Sequence, residues 1–335
     1  MIPSPTVEAA FIGGWGVMQE AYRRRGVPPD AIKIILSSIT KSTIKQYDSA
    51  IKLWWQFCGD AHICMYSPSV LELLQFFTKC FDEGKRYGSL NNIRAAINLI
   101  VHPNLTADNR IKRFFKGALN LRPLKPKYSY TWDPEIVISY LESFYPYKNV
   151  SLKDISFKLV TLLALSTGHR VQTLSLIHIH NIKMTQGKYE IKVPDRIKTT
   201  NRNEYQPIFY IEKHTSPKRC ISILLKHYLE VTQSHRGNNS TLFLTFKKPY
   251  KPASPQTLSR WIKTVMNNSG IDTKKFTAHS TRHASTSAAY RKGVDINIIK
   301  QSAGWTKKSK VFSLFYNKPL LDDRTTFANA VTNNS

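Results

Sequence analysis

The chain has 335 residues and is strongly basic, with 49 Lys and Arg against 22 Asp and Glu and a formal net charge of +27. A surface of that sign attracts polyanions, of which DNA phosphate is the usual one, and an anionic membrane surface is the alternative. We expect no membrane partner, because the sequence has no long apolar run. We expect no secretory leader, because the N-terminal segment lacks a charged region followed by an apolar one. We expect no zinc site, because the four cysteines include no C-x-x-C pair.

The N-terminal part of the chain predicts an arm followed by a helical domain. Residues 1–27 are weakly patterned and contain the run Arg23–Arg25, so we expect a loose arm that contacts phosphate, acts in nuclear import or is merely solvated. From residue 28 to 121, apolar residues recur at helical spacing. Four helices with basic faces are predicted, with starts at Ser42 and Thr43, at Ser67–Ser69, at Ser89 and at Asp108. Their core is expected to contain Trp54, Trp55 and Phe76.

A linker and a second domain are predicted next. Residues 122–133 hold two prolines and three basic residues without apolar periodicity, which is typical of a linker. The second domain covers 134–330, and 331–335 form a polar tail. Its expected helices are 134–145, 152–166, 169–177, 218–232, 255–268, 279–292 and 295–302. Its expected strands are Ile179–Met184, Tyr189–Val193 and Tyr205–Ile211, with a hairpin turn at Gln186-Gly187. The fold class is therefore mainly α with a small antiparallel β-sheet.

Three basic side chains of the second domain are candidates for holding a phosphate. Breaking a phosphodiester without metal requires a nucleophile, neutralisation of the non-bridging oxygens and a proton for the departing oxygen. Arg170 follows a Gly-containing turn and is expected at a helix N-terminus, which favours an anion. His279 and Arg282 are spaced i, i+3 and share a helix face. Taken singly, Arg170 is more often a surface arginine after a helix–helix turn, and an H-x-x-R pair often arises by chance.

Three further residues complete the candidate set. Trp305 offers one N–H donor, although a lone Trp is more often a core residue. Tyr316 offers a phenol whose phenolate two nearby arginines would stabilise, although any one of 16 tyrosines is more often a packed aromatic. A phosphotyrosyl bond conserves the energy of the broken bond, so no metal, ATP or other cofactor is expected. Lys198, in the turn between the second and third strands, is the candidate general acid; its rivals are Lys183, Lys188, Lys192 and Arg202.

This ordered set resembles the tyrosine recombinase (phage integrase) family over roughly residues 40–320. Thr167–Arg170 matches the family's first arginine box, and His279 to Arg282 matches its H-x-x-R box. Trp305 stands at the position where the family has His or Trp. Tyr316 matches the family's nucleophile, and Lys198 matches its hairpin lysine. The resemblance implies a two-domain DNA clamp, with a helical core-binding (SAM-like) domain and a catalytic domain. It also implies a 3′-phosphotyrosyl intermediate and a homotetramer on two double-stranded DNA sites, with no small-molecule substrate.

Within the family, the strings Thr167–Leu174, Gly304-Trp305 and Phe315–Pro319 are similar to recombinases of DIRS-type retroelements. That similarity implies integration of a circular double-stranded DNA copy, in a nucleus. Two departures from the family pattern matter. Thr173 stands where many members have an acidic residue, so Arg170 is expected to have other partners. The segment from Trp305 to Tyr316 is longer than in many bacterial members, which leaves open whether the tyrosine acts in cis or in trans.

Two other functions stay open. The chain is alternatively a catalytically inactive, domesticated DNA-binding protein, which would bind DNA without cleaving it. It is alternatively a monomeric relaxing topoisomerase of the type IB kind, which would relax plasmids without producing recombinants. A metal-dependent transposase is disfavoured because no acidic triad stands out.

Overall fold

The computed structural model describes residues 10–102, 107–123, 126–186, 188–197, 206–306 and 308–320. The chain divides into two compact units, Met1–Lys125 and Pro126–Ser335. The boundary between them falls inside the segment 122–133 for which the sequence predicts a linker.

The first unit is all-helical in its described part. Its helices are α1 (Gly13–Arg24), α2 (Pro29–Leu36), α3 (Lys41–Asp60), α4 (Val70–Asp82), α5 (Tyr87–Ile97) and α6 (Asn109–Leu121). The four predicted helices correspond to α3–α6. Ser69 and Glu72 form a reciprocal capping box at α4, and the Asp108 side chain accepts from the backbone N–H of Arg110 at α6. Thr40, rather than Ser42 or Thr43, caps α3, and α5 begins two residues before Ser89.

The prediction of a loose arm over residues 1–27 is wrong for the described part of that segment. Helix α1 buries Val17, Met18 and Ala21 in the core of the first unit. Gly14 permits a close approach to α3, since a Cβ there would lie 2.9 Å from the Cα of Asp48. Arg25 does not extend into solvent: its guanidinium donates to three backbone carbonyls, those of Leu99, Ile100 and Val101. The buried face of α1 is short, from Gly14 to Ala21, and glycines and arginines flank it, so the sequence pattern did not reveal it.

The core of the first unit is largely aromatic. Trp54 is fully buried, and its indole N–H donates to the carbonyl of Met65 at 3.0 Å. Phe76 packs edge-on against Trp54 with ring centroids 5.0 Å apart. Trp55 is only partly buried and packs on Phe11, so its assignment to the core holds only in part.

The second unit surrounds one buried helix with shorter helices and a small sheet. Its helices are α7 (Pro134–Glu142), α8 (Leu152–Thr167), α9 (Val171–Leu174), α10 (Ile221–Thr232), α11 (Pro255–Asn268), α12 (Ser280–Arg291) and α13 (Ile296–Ser302), followed by a π-helix, Phe312–Tyr316. Helix α8 is buried on nearly all sides from Ile155 to Leu165 and contacts α7, α9, α10, α11 and α12. It is therefore the centre of the core, and the elements that carry the candidate site pack around its C-terminal end.

The sheet is antiparallel in the order β1 (Ile182–Thr185), β2 (Lys188–Lys192), β3 (Ile208–Ile211). Its buried face includes Ile191 opposite Phe209 and Tyr189 opposite Ile211. The first strand is shorter than predicted because residues 179–181 form a 3-10 turn. The predicted helix 169–177 contracts to the single turn of α9, because Gly168 is left-handed at φ +60° and Arg170 is extended. The predicted fold class, mainly α with a small antiparallel sheet, is confirmed.

Candidate active site

Arg282 is the central side chain of the candidate site. It is only 1% exposed on α12, and one guanidinium N–H (Nη1) donates to the carbonyl oxygen of Gly168 at 2.8 Å. Its Nε and Nη2 atoms are buried and form no hydrogen bond of good geometry within the described ranges, although the Tyr316 side chain is close enough to raise the pKa of Arg282. Burial, and after it the charge of Arg170, lowers the pKa of Arg282 to about 9, so the group still carries its charge at neutral pH.

Arg170 reaches the same place from another segment. The left-handed turn at Gly168 ends α8, and the extended backbone of Arg170 precedes α9. The carbonyl of Gly168 thus binds Arg282 while the side chain two residues later is close enough to lower the pKa of Arg282. The turn that binds Arg282 through the Gly168 carbonyl therefore also carries Arg170, the second arginine that the sequence predicts for one phosphate.

Trp305 provides a wall and a donor beside Arg282. The Arg282 guanidinium lies 4.0 Å from the centroid of the Trp305 ring. The Trp305 indole N–H is buried and has no hydrogen-bond partner in the described part of the chain. Buried donors left unpaired cost roughly 1–3 kcal/mol each, and several in one place indicate a missing acceptor. The unpaired donors of Arg282 and Trp305 are suited to the oxygens of a phosphate.

Tyr316 lies at the end of the π-helix, with its hydroxyl in the site. The Tyr316 hydroxyl is 2.8 Å from Nε2 of His279. The phenol ring lies between Trp305, at a centroid distance of 4.7 Å, and His283, on which it stacks at 4.0 Å and 12°. The side chain is 8% exposed. The structure therefore brings Arg170, His279, Arg282, Trp305 and Tyr316 together.

The sixth candidate, Lys198, lies outside the described residues, as does its rival Arg202. Two other rivals are engaged on the sheet: Lys188 pairs with Glu212 at 2.6 Å and Lys192 with Glu190 at 3.1 Å. The assignment of Lys198 as general acid stays a prediction.

Two histidines that sequence reasoning passed over belong to this site. His283 stacks on Tyr316, and burial, followed by the charges of His279, Lys318 and Arg282, lowers its pKa to about 3. His169 is buried, and desolvation, followed by the charges of Arg282 and Arg170, also lowers its pKa to about 3. Both rings are therefore neutral at physiological pH. Their only sequence signal was adjacency, since each is the immediate neighbour of a candidate arginine.

His169 connects two of the site's turns. The backbone of Ser302 acts on its ring to raise the pKa against the effect of burial, and a Cβ on Gly304 would lie 2.8 Å from its Cε1 atom. Gly304 has φ +65°, a conformation that side chains rarely adopt. The glycine before Trp305 is thus required both by its backbone angle and by the His169 ring, which sets the position of the Trp305 turn relative to Arg170.

The site carries an excess of positive charge. Thr173, where many family members have an acid, is buried. Among the described residues, no carboxylate contributes to the pKa shifts of Arg282, His169 or His283. The positive charge of the site is therefore largely uncompensated before an anion enters, and this strengthens the binding of an anion.

The described ranges contain neither a metal-binding cluster nor a helix suited to span a membrane. No group of three or more His, Cys, Asp or Glu side chains there is arranged to hold a metal ion. None of the helices in those ranges combines the length and apolar character that crossing a membrane requires.

Comparison with known proteins identifies the family. The model of the phage integrase family matches residues 140–319, more than half of the chain and the whole segment from Arg170 to Tyr316. The chain belongs to the phage integrase family. The resemblance to tyrosine recombinases stated from the sequence is thereby confirmed. No curated protein matches the chain in sequence.

Solved structures of tyrosine recombinases share the fold. The XerH recombinase in its post-cleavage complex with a palindromic difH substrate has a TM-score of 0.63 at 15% identity, over 99% of this chain and 92% of that chain. The Tn1549 transposon integrase in complex with circular intermediate DNA has a TM-score of 0.54 at 12% identity, over 97% and 100%. A lambda integrase dimer bound to a COC′ core site has a TM-score of 0.52 at 20% identity, over 86% and 75%.

Proposed function

We propose that this member of the phage integrase family cuts and rejoins double-stranded DNA through a covalent bond between Tyr316 and a 3′ phosphate. The observation that carries the proposal is the placement of the Tyr316 hydroxyl, hydrogen-bonded to His279 beside the unpaired donors of Arg282 and Trp305. A nucleophile and phosphate-binding donors in one small volume are what this chemistry needs.

In the proposed reaction, the Tyr316 oxygen attacks phosphorus and the bond from phosphorus to the 5′ oxygen breaks. His279 is within hydrogen-bond distance of the attacking hydroxyl and accepts its proton or orients it. Arg170 and Arg282 neutralise the charge that develops on the non-bridging oxygens, and Trp305 donates its N–H to one of them. Lys198 gives a proton to the departing 5′ oxygen. Rejoining is the reverse reaction with a different 5′ hydroxyl, so no external energy source enters.

The direct test is a suicide substrate nicked close to the cut site, on a DNA sequence first selected for binding. Wild-type protein is expected to trap a covalent DNA adduct, and Tyr316→Phe, which keeps the ring stacked on His283, is expected to trap none. A wild-type protein that traps no adduct, or an equal yield from Tyr316→Phe, would contradict the mechanism. Relaxation of plasmids that lack the selected site, without recombinants, would instead indicate a topoisomerase.

The role of Lys198 has a separate chemical test. A substrate with sulfur in place of the 5′ bridging oxygen has a leaving group that needs no proton. Lys198→Ala should cleave the oxygen substrate slowly and the sulfur substrate at nearly the wild-type rate. If Lys192→Ala shows that pattern and Lys198→Ala does not, the general acid is Lys192.

For the biological substrate we propose a circular double-stranded DNA copy of a DIRS-type element, integrated in the nucleus by a homotetramer. The similarity of Thr167–Leu174 and Phe315–Pro319 to DIRS-type recombinases supports the substrate. Lambda integrase, solved as a dimer and as a tetramer on DNA, supports the assembly by its shared fold. Joining of a circular plasmid carrying the selected site to a second DNA tests the reaction, and the mass of the protein–DNA complex tests the tetramer. A fluorescent fusion tests the compartment.

A further inference from the structure

Four residues spaced four apart form a ridge along α12: His279, His283, Ser287 and Arg291. Side chains at i and i+4 of a helix lie above one another on one face. Each member of this ridge contacts the segment Phe315–Lys318, which carries the candidate nucleophile. Of the four, only His279 is a candidate from its sequence motif.

The contacts follow the nucleophile segment in order. His279 Nε2 is 2.8 Å from the Tyr316 hydroxyl. The His283 ring stacks on the phenol of Tyr316, with the ring centroids 4.0 Å apart. The Ser287 hydroxyl donates to the Tyr316 carbonyl at 2.6 Å and accepts from the Lys318 N–H at 3.1 Å. Arg291 donates to the Lys318 carbonyl at 3.2 Å.

These contacts restrain Tyr316 at three points: its backbone, its ring and its oxygen. Ser287 is fully buried, and the nucleophile segment uses its hydroxyl both as a donor and as an acceptor. Beyond the ridge, the Thr131 N–H donates to the Pro319 carbonyl at 2.9 Å, so the continuation of the segment is also held by its own chain. Displacement of a reacting group by about 1 Å can cost about 100-fold in rate, so restraint of this kind has catalytic value.

We propose that His283 and Ser287 are positioning residues that dock Tyr316 onto the Arg282 helix of its own subunit, so that each subunit delivers its nucleophile in cis. The inference rests on the proposed function, which makes Tyr316 the nucleophile. It adds residues that touch neither the phosphate nor the leaving group and act only through Tyr316.

Single-turnover cleavage of the nicked substrate at saturating DNA tests the docking. Ser287→Ala should cleave about 10- to 100-fold more slowly with unchanged DNA affinity, while Ser287→Thr, which keeps the hydroxyl, recovers most of the rate. The matched control is Ser285→Ala, on the same helix, whose hydroxyl does not contact the nucleophile segment. His283→Phe keeps the stacked ring and should lose less than His283→Ala. Wild-type cleavage rates in Ser287→Ala would overturn the inference.

Mixing two inactive variants tests delivery in cis. Tyr316→Phe keeps the phosphate-binding residues and Arg170→Ala keeps the nucleophile. Delivery in cis predicts that the mixture traps no more covalent adduct than the two variants separately. Restored adduct formation in the mixture means that Tyr316 acts in a neighbouring subunit, and delivery in cis is then wrong.

A measurement without DNA separates this inference from the proposed function. In Ser287→Ala, but not in Ser285→Ala, chymotrypsin should cleave after the aromatic residues of the segment Phe312–Tyr316 several-fold faster. Equal cleavage in both variants overturns the docking even if the wild-type protein forms no covalent adduct. Absence of an adduct together with the expected proteolysis contradicts the proposed function and leaves the docking supported.

Discussion

Arg282 is buried, and none of the ion pairs within the described ranges includes it; its guanidinium instead binds the backbone. One side of its guanidinium fixes the Gly168 carbonyl, and the remaining donors face the site. Only a planar group with several donors can serve both purposes at once, which is why arginine and lysine are not equivalent here.

We therefore expect Arg282→Lys to cleave the nicked substrate at least about 100-fold more slowly than wild type, because a lysine cannot bond Gly168 and two phosphate oxygens together. DNA affinity should change little, since many other basic residues hold the DNA. The control is Arg260→Lys on the exposed face of α11. Loss of binding and cleavage in equal proportion would contradict this separation of roles.

Lys158 is a second buried cation and lies away from the candidate site. It is fully buried in α8, its ammonium has no hydrogen-bond partner in the described ranges, and the Tyr147 ring lies 5.0 Å away. Burial lowers its pKa from the ordinary 10.5 to about 8. Folding at neutral pH therefore places in the core a charge that the Glu142 carboxylate offsets only in part, and this destabilises the native state.

The sign of the pH effect follows from that lowered pKa. Below about pH 8 Lys158 is charged in the folded protein, and burial of that charge lowers the free energy of unfolding by its full amount. Between about pH 8 and 10.5 the folded protein has lost this proton while the unfolded chain still binds it, so the free energy of unfolding rises with pH. Lys158→Met should raise the free energy of unfolding at pH 7 by roughly 1–3 kcal/mol, and the gain should shrink towards pH 10. Urea unfolding at several pH values measures it, with the exposed Lys153→Met as control; a gain independent of pH would contradict the explanation.

At the scale of elements, α1 shows how a helix with poor local signals is stabilised by packing. The segment begins with a glycine pair and ends with three arginines, yet α1 makes one of the larger helix–helix contacts of the first unit, with α3. Gly14 donates its N–H to the Asp48 side chain at 2.6 Å, and its missing side chain is what lets the two helices approach.

Two glycine substitutions with opposite expected signs test this account. Gly14→Ala should lower the free energy of unfolding by about 1–3 kcal/mol, because its Cβ would meet backbone of α3 at 2.9 Å. Gly117→Ala on α6 should raise the free energy of unfolding by about 0.5–1 kcal/mol through helix propensity, because an added Cβ there would meet no atom of another element within 4 Å. Thermal unfolding of both variants measures these changes. An unchanged free energy of unfolding in Gly14→Ala would mean that α1 packs more loosely against α3.

At the scale of the whole molecule, positive charge is spread over both parts of the chain. Residues 1–130 hold 18 basic and 9 acidic side chains, and residues 131–335 hold 31 and 13. Each part is therefore able to contact phosphates by itself, and affinity for DNA is expected to come mostly from the release of counterions.

Binding should accordingly fall steeply with salt, by about 10³-fold or more between about 50 and 200 mM for a protein that makes six to ten phosphate contacts. Cleavage at saturating DNA should change much less, because the buried donors of Arg282 and Trp305 are poorly screened. Titrations of DNA binding at several salt concentrations, with single-turnover rates measured in parallel, provide the test. A shallow salt dependence of binding would indicate that few phosphates are contacted.

The sequence by itself determined the helical periodicity of α3–α8 and α10–α13, the alternating strands, the positive surface and the ordered residue types of the candidate site. These are local or additive properties, because apolar spacing, capping residues and charge counts can be determined without knowing which segments are in contact. The order of an arginine box, an H-x-x-R pair, a Trp and a Tyr was enough to name the family, which the family match confirmed.

Only the tertiary structure decided which of those residues meet and what holds them. The bond from Arg282 to Gly168 joins positions 114 apart, and no local pattern encodes it. The neutral, buried state of His169 and His283 depends on desolvation by neighbours from several elements. The ridge on α12 carries two histidines, a serine and an arginine, a mixture without an apolar pattern. It becomes recognisable only when the segment Phe315–Lys318 lies against it, because a polar residue acquires its role from its partner.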